Sequence, residues 1–181
     1  MIRTKGDLKE FLKIEKELCY IYSSSWKNNL ILNLTLGYDA LIWKYIKYLR
    51  KSEYCLNNKK RIGYIFYERK KNKIGRYLGF SIPPNTFGKG LKIYHQGSIV
   101  VNPKVRVGEF CKIHGDVCIG NNGKNDVCPR IGNNVDIGMK ACIIGDIIIN
   151  DNTIIGANAL VNKSFSEKNI TIVGIPAIKI K

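Results

Sequence analysis

From residue 101 onward, the hydrophobic pattern of this chain repeats every six residues. The aliphatic positions fall into two runs: Val101, Val107, Ile113 and Ile119, then Ile131, Ile137, Ile143, Ile149, Ile155 and Val161. A smaller apolar or semi-polar residue generally follows each of them after four positions, and glycine often comes directly after the aliphatic residue. Neither the helical period nor the strand period produces this spacing. A six-residue internal repeat is typical of a β-solenoid.

A triangular coil explains the repeat. Each group of six residues forms one flat face, and three groups, about 18 residues, complete one turn. The aliphatic side chain points inward and stacks on its equivalent in the next coil, while glycine and asparagine accept the backbone angles of the corners. One coil cannot bury its own interior, so stability comes from stacking. We therefore predict a parallel β-helix over residues 79–181.

The phase of the repeat fails between Ile119 and Ile131. The ladder positions between these two residues are Asn125 and Pro129, and neither suits a coil interior. We therefore predict an extruded loop near residues 120–130, centred on the polar segment 120–126. Insertions of this sort often carry the function of a solenoid.

Residues 1–78 follow a helical pattern instead. Apolar side chains at three- and four-residue spacing predict helices over residues 7–22, 39–54 and 61–77, with a break at the serines of 23–25. We expect a small α-helical N-terminal domain at residues 1–78, ahead of the β-helix.

The charge and composition limit the classes of protein to which this chain can belong. The formal net charge is +16, and residues 1–80 hold 18 basic and 7 acidic side chains. This excess is compatible with a solvated helix face, with a surface for anionic lipid or glycan intermediates, or with a nucleic-acid patch, and charge alone does not choose among them. No stretch is apolar enough for a membrane span, and the start lacks the pattern of a secretory signal, so we expect a cytoplasmic protein with six free cysteines.

Three stretches carry a resemblance to a known family. Residues 90–101 contain a histidine with glycine two positions later, residues 113–132 run as strand, polar loop and Asp-x-Cys-Pro-x-Ile return, and residues 174–177 read Gly-Ile-Pro-Ala. These segments resemble the hexapeptide-repeat acyltransferases, and within them the serine acetyltransferase-like subgroup. The resemblance covers about residues 80–181. It implies a mainly β protein, a left-handed parallel β-helix preceded by a small α-helical N-terminal domain.

The resemblance also implies a reaction. In this family an acetyl group passes directly from acetyl-CoA to an acceptor hydroxyl, and a histidine takes the hydroxyl proton, because an alcohol is a poor nucleophile at neutral pH. His95 matches the family's base by its surroundings. His114 follows an interior aliphatic residue and is expected near the same cleft, either as the base or as a residue that orients the acceptor. Tyr94, Asp126 and Cys128 match positions next to the acceptor.

One feature of His95 conflicts with the repeat. Extended backward from Val101, the ladder places His95 at an inward position. We therefore expect the regular coil to begin only after His95.

The family's coenzyme lies along the outside of the prism, in the groove between neighbouring subunits. The positions that match its CoA contacts are Asn121, Gly138, Met139, Gly156 and Ala157, with Lys163 and Lys179 as candidate phosphate partners. The glycines are equally compatible with coil corners, and the lysines with solvated surface. The resemblance implies a homotrimer or a dimer of trimers, with acetyl-CoA as co-substrate.

The departures from the family point to the acceptor. The family has Asp before its catalytic histidine and an Asp-Arg-His-Pro segment, where this chain has Tyr94 and, at residues 126–129, Asp-Val-Cys-Pro. Serine carries two charges that need fixed partners, so we expect a sugar hydroxyl of a surface polysaccharide as acceptor, with serine as the alternative.

Two functions of other classes are also compatible with a β-helical prism. One is a non-catalytic scaffold or basic binding module. The other is the trimeric zinc carbonic anhydrase, which needs three histidines around each metal. This chain has two histidines, so we expect no metal. The polar loop at 120–126 and the placement of His95 argue against a scaffold or binding module, so we expect no nucleic-acid partner.

Overall fold

The computed structural model of the chain describes residues 1–19, 31, 34–35 and 37–181. In these residues three long helices precede the strands: α1 at Lys5–Cys19, α2 at Tyr38–Asn57 and α3 at Arg61–Leu78. The predicted break at 23–25 and the predicted end of the first helix lie outside the described residues. No helix in the described ranges is long and apolar enough to cross a membrane.

Fourteen short strands follow in the described part of the chain. They are β1 Phe80–Ser81, β2 Lys92–Ile93, β3 Ile99–Val101, β4 Arg106–Val107, β5 Lys112–Ile113, β6 Cys118–Gly120, β7 Arg130–Ile131, β8 Asp136–Ile137, β9 Cys142–Ile144, β10 Ile148–Ile149, β11 Ile154–Ile155, β12 Leu160–Val161, β13 Thr171–Val173 and β14 Ile178–Lys179.

The strands form the three faces of a prism. The sheet orders are β1-β3-β6-β9-β12, β4-β7-β10 and β2-β5-β8-β11-β13-β14. Most neighbours within a sheet are three strands apart in the sequence and parallel, and only the β13–β14 pair is antiparallel among the described strands. This is the connectivity of a coil with three strands per turn.

The predicted interior is confirmed. All ten ladder aliphatics are buried, and so are the eight residues four positions after them, from Val105 to Ala159. Asparagines at one corner stack as well: Asn134 Nδ2 donates to Asn152 Oδ1 at 3.1 Å, and Asn152 Nδ2 to Asn169 Oδ1 at 2.9 Å. All three have a left-handed φ of 54–58°, a conformation that asparagine tolerates better than most residues.

The strand register shows where extra residues enter. Ile93 pairs with Ile113 and Val101 with Ile119, so the corner that holds His95 is two residues longer than the corner below it. The expectation that the coil begins only after His95 is wrong, because β1 and β2 already pair in the prism. The two extra residues shift the phase, and His95 is therefore exposed rather than inward.

A second shift lies at the polar loop. Val101 pairs with Ile119 and Val107 with Ile131, so six residues of one coil lie beside twelve of the next. The side chains of residues 122–127 are all exposed. The prism thus continues on both sides of a loop that leaves its surface.

A buried charge cluster joins the helices to the first coil. Arg50 of α2 donates to Glu15 Oε1 of α1 at 2.6 Å and to Glu53 Oε2 at 2.9 Å, and all three side chains are buried. The guanidinium also donates to the carbonyl oxygens of Phe87 and Gly88. Burial alone lowers the pKa of Arg50, but the two carboxylates outweigh it and raise the pKa above its ordinary value. The cluster thus anchors the helices against the prism.

Candidate active site

Four stacked strands bring the candidate residues to one edge of the prism. β2, β5, β8 and β11 pair in register as successive coils. The residues directly after these strands therefore form a continuous column, one coil spacing of about 4.8 Å apart. In order along the prism they are Tyr94 and His95, His114, Gly138 and Met139, and Gly156 and Ala157.

The column opens into a cavity of about 380 Å³. Six of the candidate site residues line it, together with an aspartate and two isoleucines: His95, His114, Asp136, Gly138, Met139, Ile154, Ile155, Gly156 and Ala157. The cavity therefore joins the two histidines to most of the candidate CoA positions.

His114 is held in one orientation. Its Nε2 lies 2.8 Å from Asp136 Oδ1, and the Tyr94 ring stacks on the imidazole with centroids 4.5 Å apart and planes 11° apart. Because the Asp136 carboxylate hydrogen-bonds to Nε2, the other ring nitrogen, Nδ1, is left to contact a ligand. An imidazole whose ring is oriented by an acid in this way is a common arrangement in active sites. The Lys112 ammonium lies 3.9 Å from the other oxygen of Asp136.

His95 is less constrained. It lies on the longer corner after β2, its ring is exposed, and its centroid is 6.4 Å from that of Tyr94. No hydrogen bond joins its ring to any residue in the described ranges. Its ring nitrogens therefore have no protein partner among those residues, and the side chain lines the cavity. Tyr94 stacks on His114, and no hydrogen bond joins it to His95 among the described residues.

The two glycines of the column are required by coil stacking. A Cβ at Gly138 would lie 2.6 Å from Ala157 N, and a Cβ at Gly156 would lie 2.7 Å from Val173 Cγ1. Backbone atoms cannot move aside, so coil stacking alone accounts for glycine at position 138, whether or not a ligand binds there. The same absence of side chains keeps the prism surface beside the cavity flat.

The remaining candidates lie outside the lining of this cavity. Asp126 pairs with Lys104 at 2.8 Å on the loop, and Cys128 is buried, which raises the pKa of its thiol. Lys163 lies over the Phe165 ring, and Lys179 pairs with Glu167. Asn121 lies at the start of the loop, half-buried.

Sequence reasoning missed Asp136. Lys112 pairs with Asp136, so the two coils run side by side there. The register partners are 24 residues apart, which is one coil of about 18 residues plus the six-residue insertion. Counting one coil forward from Lys112, two residues before His114, with that correction reaches the carboxylate. Among the described residues no cluster of three His, Cys, Asp or Glu side chains has the arrangement of a metal site.

Known proteins resemble this chain in sequence over half to two thirds of its length. The putative colanic acid biosynthesis acetyltransferase WcaB of Escherichia coli K12 is 37% identical over 100 residues, which cover 54% of this chain and 61% of that protein. A serine acetyltransferase of Staphylococcus xylosus is 34% identical over 131 residues, which cover 66% of this chain and 60% of that protein. The chain thus spans about 60% of the length of these curated relatives. No family model matches it.

Solved structures resemble it over almost its whole length. The soybean serine acetyltransferase apoenzyme superposes with a TM-score of 0.76 at 22% identity, over 96% of this chain and 69% of that one. The serine acetyltransferase of Brucella abortus strain S19 in complex with coenzyme A superposes with a TM-score of 0.74 at 23% identity, over 97% and 68%. At these identities the superpositions show the fold, a left-handed β-helix behind a small helical region. Sequence relatives and structural neighbours together confirm the resemblance to the hexapeptide-repeat acyltransferases of the serine acetyltransferase-like subgroup.

Proposed function

We propose that this chain is an acetyl-CoA-dependent O-acetyltransferase that transfers its acetyl group by direct attack of an acceptor hydroxyl. One observation carries the proposal: a single cavity joins two imidazoles to the small residues of the column, Gly138, Gly156 and Ala157. Acyl transfer to an alcohol needs a base next to the hydroxyl and a smooth surface along which the thioester arm reaches it. The cavity and the column meet both needs.

His95 is the proposed base. A free ring nitrogen takes the proton of the acceptor hydroxyl as its oxygen bonds to the acetyl carbonyl carbon. The C–S bond then breaks, and the departing CoA thiolate recovers the proton from the imidazolium. His114 has a different part, because Asp136 and Tyr94 hold its ring in place: its Nδ1 hydrogen-bonds the acceptor and orients it.

A neutral sugar hydroxyl is the proposed acceptor. Among the described residues, the cavity lining contains one carboxylate, Asp136, and no lysine or arginine. A serine substrate would bring a carboxylate that needs a cation, whereas a polyol needs hydrogen-bonding groups such as Asp136 and His114. The name of WcaB places that relative in the biosynthesis of a polysaccharide.

The activity is tested by following thiol release from acetyl-CoA with a panel of acceptors. We expect release that depends on a sugar acceptor and exceeds the release with L-serine. Release with serine alone would assign the alternative acceptor, while no release with any acceptor would support a non-catalytic scaffold. Binding of a glycan without its acetylation would also contradict the proposed transferase activity.

We propose that the active unit is a homotrimer built on the sheet β1-β3-β6-β9-β12. The outward side chains of this sheet form a column without charges: Val100, Cys118, Cys142 and Leu160 pair in register on successive coils. The outward columns of the other two sheets carry Lys112, Asp136, Arg106 and Arg130. Interface cores lose charged residues, so the uncharged face is the one that fits a subunit contact.

Cys118→Arg tests this assembly. A charge in the centre of the contact is expected to shift the mass in light scattering from a trimer to that of the 20.5 kDa single chain. Ile148→Arg is the matched control, since Ile148 is exposed on another sheet, and it should leave the trimer intact. A trimeric Cys118→Arg protein would place the contact on another face. A dimer of trimers would show as twice the trimer mass.

A cytoplasmic location is proposed from the cysteines. All six are free, which is usual in a reducing compartment. Burial raises the pKa of Cys19 to about 12, so that thiol stays protonated and packs as an apolar group.

A further inference from the structure

Helix α3 presents a large apolar surface to solvent. The exposed fractions are 87% for Ile62, 65% for Ile65, 50% for Phe66 and 71% for Tyr77. On an α-helix of about 3.6 residues per turn these four positions fall within about 120° of one another and therefore lie on one side of the helix. The opposite side, with Lys71, Gly75 and Leu78, is buried. An amphipathic helix ordinarily turns such residues toward the core.

The same side of α3 is strongly basic. Its exposed charged residues are Arg61, Arg69, Lys70, Lys73 and Arg76. No carboxylate of the described residues lies within ion-pair distance of these five. The one acid of the helix, Glu68, faces inward and pairs with Lys71 at 2.6 Å. Basic and apolar groups are intermixed, as Lys70 Nζ lies 4.6 Å from the Phe66 ring centroid.

This composition does not fit a solvated helix face. A solvated face carries charges of both signs, which pair along the helix, and few large apolar groups. Here five cations lack acidic partners among the described residues, and four large apolar side chains lie between them. Such a combination of bulky apolar groups and lysine or arginine is typical of helices that lie in the plane of a membrane interface.

We propose that this α3 face, residues 61–77, docks the protein on the surface of an anionic lipid bilayer. The helix lies parallel to the surface, with Ile62, Ile65 and Phe66 entering the headgroup region. The arginines and lysines meet the lipid phosphates. The proposal does not depend on the catalytic function, and it concerns a surface contact, not a membrane span.

Charge complementarity selects this occupant over a second copy of the chain. In a two-fold dimer the same patch faces itself, which would place five cations against five cations. An acidic lipid surface instead neutralises each of them. The uncharged face of the prism remains the surface for contacts between copies.

Vesicle sedimentation tests the proposal. We expect the full chain to sediment with vesicles of equal parts phosphatidylcholine and phosphatidylglycerol, and not with phosphatidylcholine alone. Binding should fall as salt is raised from about 0.1 M to about 1 M, because the screening length shortens from about 10 Å to about 3 Å.

Two variants separate the contributions. Arg69→Gln/Lys73→Gln/Arg76→Gln should lower the partition coefficient about a hundredfold, at about fivefold for each cation. Ile62→Ser/Ile65→Ser should lower it about tenfold or more and keep its salt dependence. All five positions are exposed, so folding is expected to be unaffected, and circular dichroism checks this.

A matched control removes the same charge elsewhere. Lys5→Gln/Lys9→Gln/Lys13→Gln removes three exposed lysines of one side of α1 and should leave binding unchanged. Equal losses in both triple variants would mean that only net charge matters and would overturn the proposal. So would a wild-type chain that ignores anionic vesicles, or an Ile62→Ser/Ile65→Ser protein that loses self-association instead of lipid binding. Thiol-release activity in solution should be the same in all variants.

Discussion

Replacing His95 with alanine is expected to lower the rate of acetyl transfer by about a hundredfold to ten-thousandfold, the usual contribution of a general base. The ring is exposed and forms no hydrogen bond within the described residues, so its removal leaves the packing of the coil unchanged. The loss should therefore appear in kcat. Thiol release at saturating acetyl-CoA measures it, and CoA binding and trimer mass should equal those of the wild type.

The His114→Ala variant is the comparison for His95→Ala. If His114 orients the acceptor, His114→Ala should raise the KM for the acceptor more than it lowers kcat. Asp136→Asn should act in the same direction, because the 2.8 Å contact to Nε2 fixes that ring. The reverse result, retained turnover in His95→Ala and none in His114→Ala, would make His114 the base, with Asp136 as its orienting acid.

The second large effect concerns stability. Arg50→Met is expected to lower the free energy of unfolding by about 3–5 kcal/mol, the cost of leaving buried charge without its partner. The guanidinium is fully buried between Glu15 and Glu53. Without it two carboxylates remain in the interior, and the carbonyl oxygens of Phe87 and Gly88 lose their donor. Urea unfolding followed by circular dichroism measures the change.

Lys47→Met is the matched control for Arg50→Met. It removes a cation from the same helix, but one that lies beside other lysines, and burial together with these neighbours lowers its pKa. Its effect should stay within about 0.5 kcal/mol. Adding Glu15→Gln and Glu53→Gln to Arg50→Met should recover part of the loss, since no unpaired charge then remains. A mild Arg50→Met phenotype would show that water reaches the cluster.

The β-helix was predictable because its period depends on residues close in sequence. Each coil presents its own aliphatic residue to the interior, so Ile113 and Ile137 reveal their burial through spacing alone. The helices were predictable for the same reason, with α2 and α3 within three residues of the expected bounds. The buried Glu15–Arg50–Glu53 cluster was not predictable, because Arg50 lies 35 residues from Glu15 in α1 and 37 residues from Phe87 in the prism.

The same distinction between local and long-range features applies to the candidate site. His95, His114 and the small residues after β8 and β11 were found from local motifs. Asp136 and the stacking of Tyr94 on His114 were not, because they join adjacent coils. Their meeting depends on the two-residue shift at the His95 corner and on the six-residue loop, and only the strand register reveals how far each insertion moves the following chain.

The sequence by itself thus determined the repeat, the coil interior and the two histidines, because each is encoded within a few residues. The tertiary structure alone decided that His114, rather than His95, has the carboxylate, and that His95 points outward from a lengthened corner. It also decided which side of α3 remains exposed. These properties depend on contacts between segments far apart in the chain, and their geometry follows from stacking coils and packing helices against them.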